Sequence, residues 1–171
     1  MFVAVLWTGA RAAALVPVPA PPQPPAPVPG LEANRGQAKA GILFLIPESS
    51  GSIAVTAQSV LYSPVGVSLS LVASNPNPTV SPSDLLPGVN YYTGADPHKW
   101  VSRIQRYGTA DLAGVYPGIN AEYTIGSDGT LTLNLLLSQG TDPKAVQFQI
   151  APAALMMVNP DGSLTARLGP G

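Results

Sequence analysis

From residue 31 onward the apolar positions repeat with a period of two wherever a period is clear, which is the spacing of strands that bury one face. Val65, Val67, Leu69 and Leu71 alternate with Gly66, Ser68, Ser70 and Val72, and Leu131, Leu133, Leu135 and Leu137 alternate with Thr132, Asn134 and Leu136. Leu131, Leu133 and Leu135 are expected to face the core. The same reading predicts strands at 42–46, 53–57, 89–93, 121–125, 146–150, 155–158 and 164–168. This succession of short strands predicts an all-β fold, a β-sandwich or barrel-like arrangement of antiparallel sheets.

Turn residues punctuate the pattern. Ser127-Asp128-Gly129 and Asn159-Pro160-Asp161-Gly162 suit tight hairpins, because glycine tolerates the positive φ such turns demand. Pro76, Pro78 and Pro82 interrupt the chain after Ala73, so 74–87 is expected to be a connecting loop. One short helix is predicted, Pro97 to Arg103, with Asp96 as N-cap and Pro97 at the first helical position. Gly114-Val115-Tyr116-Pro117-Gly118 has neither the lysine nor the following helix of a phosphate-binding loop, and reads as a turn.

The first thirty residues follow no such period. Phe2 to Gly9 is a short apolar run, and Ala10 to Ala14 offers small-residue cleavage sites, so 1–14 reads as a signal-like segment. It is too short for a bilayer span, which needs about 20 residues. Val16 to Gly30 (VPVPAPPQPPAPVPG) lacks most of the N–H donors a ladder needs, so 15–30 reads as a stiff Pro-rich linker. The folded domain is expected at 31–171. Deletion of the first thirty residues is expected to leave its stability unchanged.

Composition narrows the function. The charged fraction is 10%, against a usual value of about 25%, and the rest of the profile is that of a β-rich extracellular module. A net charge of −1 supplies no field that would recruit nucleic acid or an anionic membrane. With no cysteine and one histidine, thiol catalysis, disulfides and a zinc site have no residues to work with.

The remaining chemistry is sparse. His98 has no nucleophile to serve and reads as a solvent-exposed turn residue. The acidic residues are spread singly, without the DxDxDG spacing of a calcium loop, and Asp96, Asp128 and Asp142 each precede Pro or Gly as turn formers and caps do. Asp111 and Glu122 are the one pair that a two-carboxylate glycosidase mechanism could draw on. Aromatic residues concentrate at Tyr91, Tyr92, Trp100, Tyr107, Tyr116 and Tyr123. They carry two readings: rings stacking on a sugar, with Tyr91, Tyr92, Trp100 and Tyr116 as binding residues, or rings closing a core edge in the manner of a tyrosine corner.

Two blocks carry a family resemblance. Val89 to Trp100 (VNYYTGADPHKW) and Leu112 to Tyr123 (LAGVYPGINAEY) resemble the VNYxxGxDPxxW and YxGVYPGIDxxY blocks of an uncharacterised β-rich domain. That domain precedes SBBP-type repeats, which build seven-bladed β-propellers, in secreted bacterial proteins. Leu31 to Gln37 is similar to its opening FExNxGQ, Gly140 to Pro143 to a PGADP-like turn, and Asn159 to Leu164 to a DxDGxL hairpin. Asn120 stands where the family has an acid, and Leu131 to Leu135 lacks the carboxylates of the family's LEYDF strand, so no metal or catalytic role falls on those positions. The resemblance implies a non-catalytic structural or recognition module of a secreted or cell-surface protein, with no cofactor, and with downstream propeller repeats or other surface proteins as partners. A carbohydrate-binding module using the aromatic cluster is the alternative. It further implies a chain that continues past residue 171, leaving 164–168 without a partner strand and prone to edge-to-edge association.

Overall fold

The computed structural model describes residues 28–49, 51–63, 65–152, 155–158 and 164–167. The signal-like segment, the Pro-rich linker up to residue 27 and the predicted turn at 159–162 lie outside the described residues. The strands are β1 (Leu31–Ala33), β2 (Ile42–Glu48), β3 (Gly51–Thr56), β4 (Ser59–Ser63), β5 (Val67–Leu71), β6 (Thr79–Tyr91), β7 (Val101–Tyr116), β8 (Ile119–Ile125), β9 (Leu131–Leu137), β10 (Phe148–Ala151), β11 (Leu155–Val158) and β12 (Leu164–Arg167). The fold is all-β, as the alternation predicts. Ten strands form one curled antiparallel sheet, a half-barrel, in the order β10-β5-β4-β3-β2-β1-β7-β8-β9, with β6 also paired to β7. β11 and β12 pair with each other.

The curl originates at β7. Its residues 101–113 pair with β6, while Arg106 and Tyr107 pair with β1 and 109–116 pair with β8. Tyr107 and Asp111 each have partners on both sides, so β1 and β8 must share the edge of β7 that β6 does not occupy. Two arms therefore leave one edge, β1-β2-β3-β4-β5-β10 and β8-β9, and they enclose the core between them. Phe44, Ile46, Ile53 and Val55 come from the first arm, Ile119, Ala121 and Tyr123 from the second, and Ala110, Leu112 and Val115 from β7 itself. Leu131, Leu133 and Leu135 pack against this core from β9, half-buried, as expected.

Several expectations are corrected. The loop expected at 74–87 contains the first part of β6, a 13-residue strand that includes Pro82 and Pro87. Proline is tolerated because β6 has a single neighbour, so a missing N–H can face the open side. Pro87 also falls within a register shift, between Leu86 and Val89. The helix expected at 97–103 is a single 3₁₀ turn, Pro97–Lys99, capped by the Asp96 side chain accepting from His98 N–H. Trp100 is already extended, and β-branched Val101 opens β7, the longest strand and one the apolar pattern did not reveal. Val65 lies in an exposed turn ahead of β5. The last strand is not partnerless: Leu164–Arg167 pairs with Leu155–Val158 in unbroken register.

The turns have local causes. Between β7 and β8, Tyr116 and Ile119 are paired across Pro117-Gly118, and Gly118 has φ +72°. Proline followed by a positive-φ residue is what a type II turn requires. A Cβ at Gly118 would also stand 2.5 Å from Thr141 Oγ1, so the position is closed to other residues twice over. Asp142 caps the 3₁₀ turn Pro143–Ala145 by accepting from Lys144 N–H at 2.9 Å, as Asp96 does in its own turn.

Candidate functional site

The buried charges among the described residues meet where β1 joins β7. Glu32 and Arg106 are paired in register across the two strands, 3% and 7% exposed. β1 is enclosed by β2 and β7, so Leu31 on one face and Glu32 on the other are both buried. Arg106 lies in phase with buried Ile104, Ala110 and Leu112 along β7, which turns its side chain inward.

Three polar side chains then meet. Arg106 Nε stands 3.6 Å from Glu32 Oε1, and the Tyr91 hydroxyl donates to Glu32 Oε2 at 2.7 Å. The other guanidinium nitrogens donate to the carbonyls of Pro87, at 3.4 Å, and Val28. Arg106 Nε itself is buried without a hydrogen-bond partner, since 3.6 Å is beyond that range. Burial, reinforced by the hydrogen bond to Glu32 and that carboxylate's charge, pushes the Tyr91 hydroxyl up to about 12. Tyr91 therefore stays protonated at neutral pH and donates, so it is not a base.

Beside this network opens a cleft of about 540 Å³, lined by Glu32, Tyr91 and Arg106 together with Glu48 and Asp128. A second hollow of about 420 Å³ shares Glu48 and Asp128 with it and reaches Tyr62 and Leu131. Glu48 accepts from the Tyr62 hydroxyl at 2.9 Å. Asp128 accepts from the Thr130 backbone N–H and hydroxyl, and these bonds hold its carboxyl below the usual range. The three carboxylates that line the cleft are thus each already engaged, Glu48 by Tyr62, Asp128 by Thr130 and Glu32 by Tyr91 and Arg106. Among the described residues no three His, Cys, Asp or Glu side chains are placed to hold a metal ion.

The sequence-selected aromatic residues do not share one face. Tyr92 and Trp100 come together, ring centroids 5.3 Å apart at 75°, 63% and 42% exposed. Trp100 Nε1–H donates to Gly94 O at 3.1 Å, fixing the indole. Tyr91 turns into the cleft. Tyr116 is in the core, 6% exposed, its hydroxyl donating to Val72 O at 2.8 Å, so its ring offers no stacking surface. Tyr123 is buried and Tyr107 packs edge-on to Phe44. His98 is exposed in its turn. Asp111 and Glu122 are directly opposed between β7 and β8, on the face away from Leu112 and Ala121; Glu122 accepts from Asn134 Nδ2 at 3.0 Å, and neither acid lines the cleft.

The chain is thus a curled-sheet β domain in which the buried Glu32–Arg106 ion pair ties β1 to β7. It belongs to the family described as a domain of unknown function, DUF7948, whose family model matches residues 62–171, from within β4 to the last residue. No curated protein and no solved structure matches the chain.

Proposed function

We infer that the chain is a non-catalytic structural or recognition module of a secreted or cell-surface bacterial protein, standing ahead of SBBP-type propeller repeats. One observation carries the reading: polar and aromatic residues of both motif blocks are engaged in holding the fold. Asn90 Oδ1 accepts from Arg103 N–H at 2.7 Å, Tyr91 binds Glu32, Asp96 caps a turn, and Trp100 binds Gly94 O. In the second block Tyr116 binds Val72 O, Asn120 Oδ1 accepts from Gly114 N–H at 2.8 Å, and Tyr123 is buried. A signature made of caps, turns and core contacts specifies a scaffold rather than a reaction. The cysteine-free, weakly charged composition fits an extracellular setting.

A carbohydrate-binding reading rests on Tyr92 and Trp100, the exposed aromatic pair, which could carry a sugar ring. Affinity electrophoresis across a panel of polysaccharides separates the two, together with turnover assays on chromogenic glycosides and esters. The scaffold reading expects neither retardation nor turnover. Retardation abolished by Trp100→Ala would replace it with the glycan reading. Protease shaving of intact cells tests the location: loss of an epitope tag on the chain is expected, and full protection would overturn it.

A further inference from the structure

β9 ends one arm of the sheet, with β8 as its single hydrogen-bonded neighbour among the described residues. Its two ends show which backbone groups are left over. Ser138 N–H donates to Gly118 O at 2.8 Å and Gly126 N–H to Thr130 O at 2.9 Å, and between them β8 and β9 pair without a register shift. Opposed residues of an antiparallel ladder alternate between pairs that exchange both bonds and pairs that exchange none. Thr132, Asn134 and Leu136 therefore bond to β8, and the N–H and C=O groups of Leu131, Leu133, Leu135 and Leu137 point to the open edge.

The strand itself carries none of the usual edge protections, and no described strand covers it. LTLNLLL contains no charge, no proline and no bulge, and Leu136 and Leu137 are left exposed. We propose that β9 pairs with β9 of a second copy of the chain, antiparallel about a two-fold axis through Asn134. The strand is self-complementary in that register, as an isologous contact demands. Leu133 opposes the partner's Leu135 and Leu131 the partner's Leu137, and these are the residues whose free backbone groups meet across the axis. The leucine stripe continues from one core-facing surface to the other, whereas a one-residue slip would set it against the polar face. On the outer face Asn134 opposes its own copy, and no like charges meet.

Light scattering and two substitutions test this. Asn134 would form a non-hydrogen-bonded pair with its copy, Cα atoms about 4.5 Å apart, within the span of a disulfide. Because the chain has no cysteine, Asn134→Cys treated with oxidised glutathione is expected to give a covalent dimer, while Thr124→Cys on β8 gives none. Asn134→Lys faces Glu122 within a subunit but another lysine across the axis. It is expected to convert a dimeric parent into a monomer that keeps the parent's circular dichroism spectrum and whose melting temperature no longer depends on protein concentration. A parent monomeric up to its solubility limit overturns the proposal. So does a dimer that Asn134→Lys leaves intact, or an Asn134→Cys protein that does not cross-link.

Discussion

Among the described residues β6 and β9 each have a single hydrogen-bonded neighbour, and they meet that condition in opposite ways. β6 is interrupted by Pro82 and Pro87, shifts register twice before Tyr91, and holds Asp84 at φ +56° with its carboxylate accepting from Thr109 Oγ1 at 2.8 Å. Its attachment is polar: Tyr91 reaches Glu32, and Arg106 reaches the Pro87 carbonyl. β9 is unbroken and uncharged, attached by leucines on the core and by one side-chain bond, Asn134 to Glu122. An edge that is bent and proline-bearing resists pairing with strangers, and an edge that is straight and apolar invites it. The two differ in what holds them, so they should fail under different substitutions.

The largest effect is expected on the β6 side. Glu32→Ala leaves the Arg106 guanidinium buried without a counter-charge, a loss of about 3–5 kcal/mol. Urea denaturation measures it, and a midpoint near the parent's would mean that Arg106 finds another acceptor. On the β9 side, Leu133→Asp puts a charge against the core, and a loss of about 2–4 kcal/mol is expected because that position is half-buried. A parental melting temperature there would mean that β9 is not held by its leucines.

Tyr91→Phe removes one hydrogen bond to a carboxylate and should cost about 1–2 kcal/mol. It also sharpens the contrast through pH. The hydroxyls of Tyr91 and Tyr123 are raised from 10.0 to about 12 in the folded chain, both chiefly by burial. A raised folded value means that the neutral form is favoured by folding, so this contribution is whole below pH 10 and fades as pH climbs from 10 through 12. Denaturation followed across that window should show declining stability, with a shallower decline in Tyr91→Phe. The smallest effect belongs to Pro82→Val, which restores an N–H to an edge strand: about 0.5 kcal/mol or less in stability, with increased self-association by light scattering as the informative change.

How much of this was legible in the sequence depends on how each strand is covered. β9 and β8 lie with one face on the core, so their alternation is plain at Leu131 to Leu137 and 121–125. β7 is flanked on both edges and carries Arg103, Arg106, Asp111 and two glycines, so no long apolar period marks it. β6 was hidden by prolines that only an edge strand can hold. The caps at Asp96, Asp128 and Asp142 were legible because they act within three residues. The Glu32-Tyr91-Arg106 network was not, since Tyr91 reaches Glu32 across 59 residues. The signal that could have found it is a phase: Arg106 falls two residues after Ile104 on the inward side of a strand, where an arginine demands a partner. The aromatic cluster was visible as composition, but which rings are buried depends on β7, which the pattern concealed.

β1 also sets the order in which the chain can fold. β2 to β5 and β6 to β9 are each successions of sequence neighbours, so each can assemble from local contacts, on the fast timescale of hairpins. The three residues of β1 join them, with two paired positions on β2 and two on β7. That closure, like the pairing of β10 with β5, joins residues far apart in sequence, carries a large loop entropy and must come late. During synthesis β1 leaves the ribosome first yet waits for Tyr107 before it can be enclosed. In native-state hydrogen exchange the two halves would then open as separate cooperative units, and the amides between β1 and β7 would report their coupling.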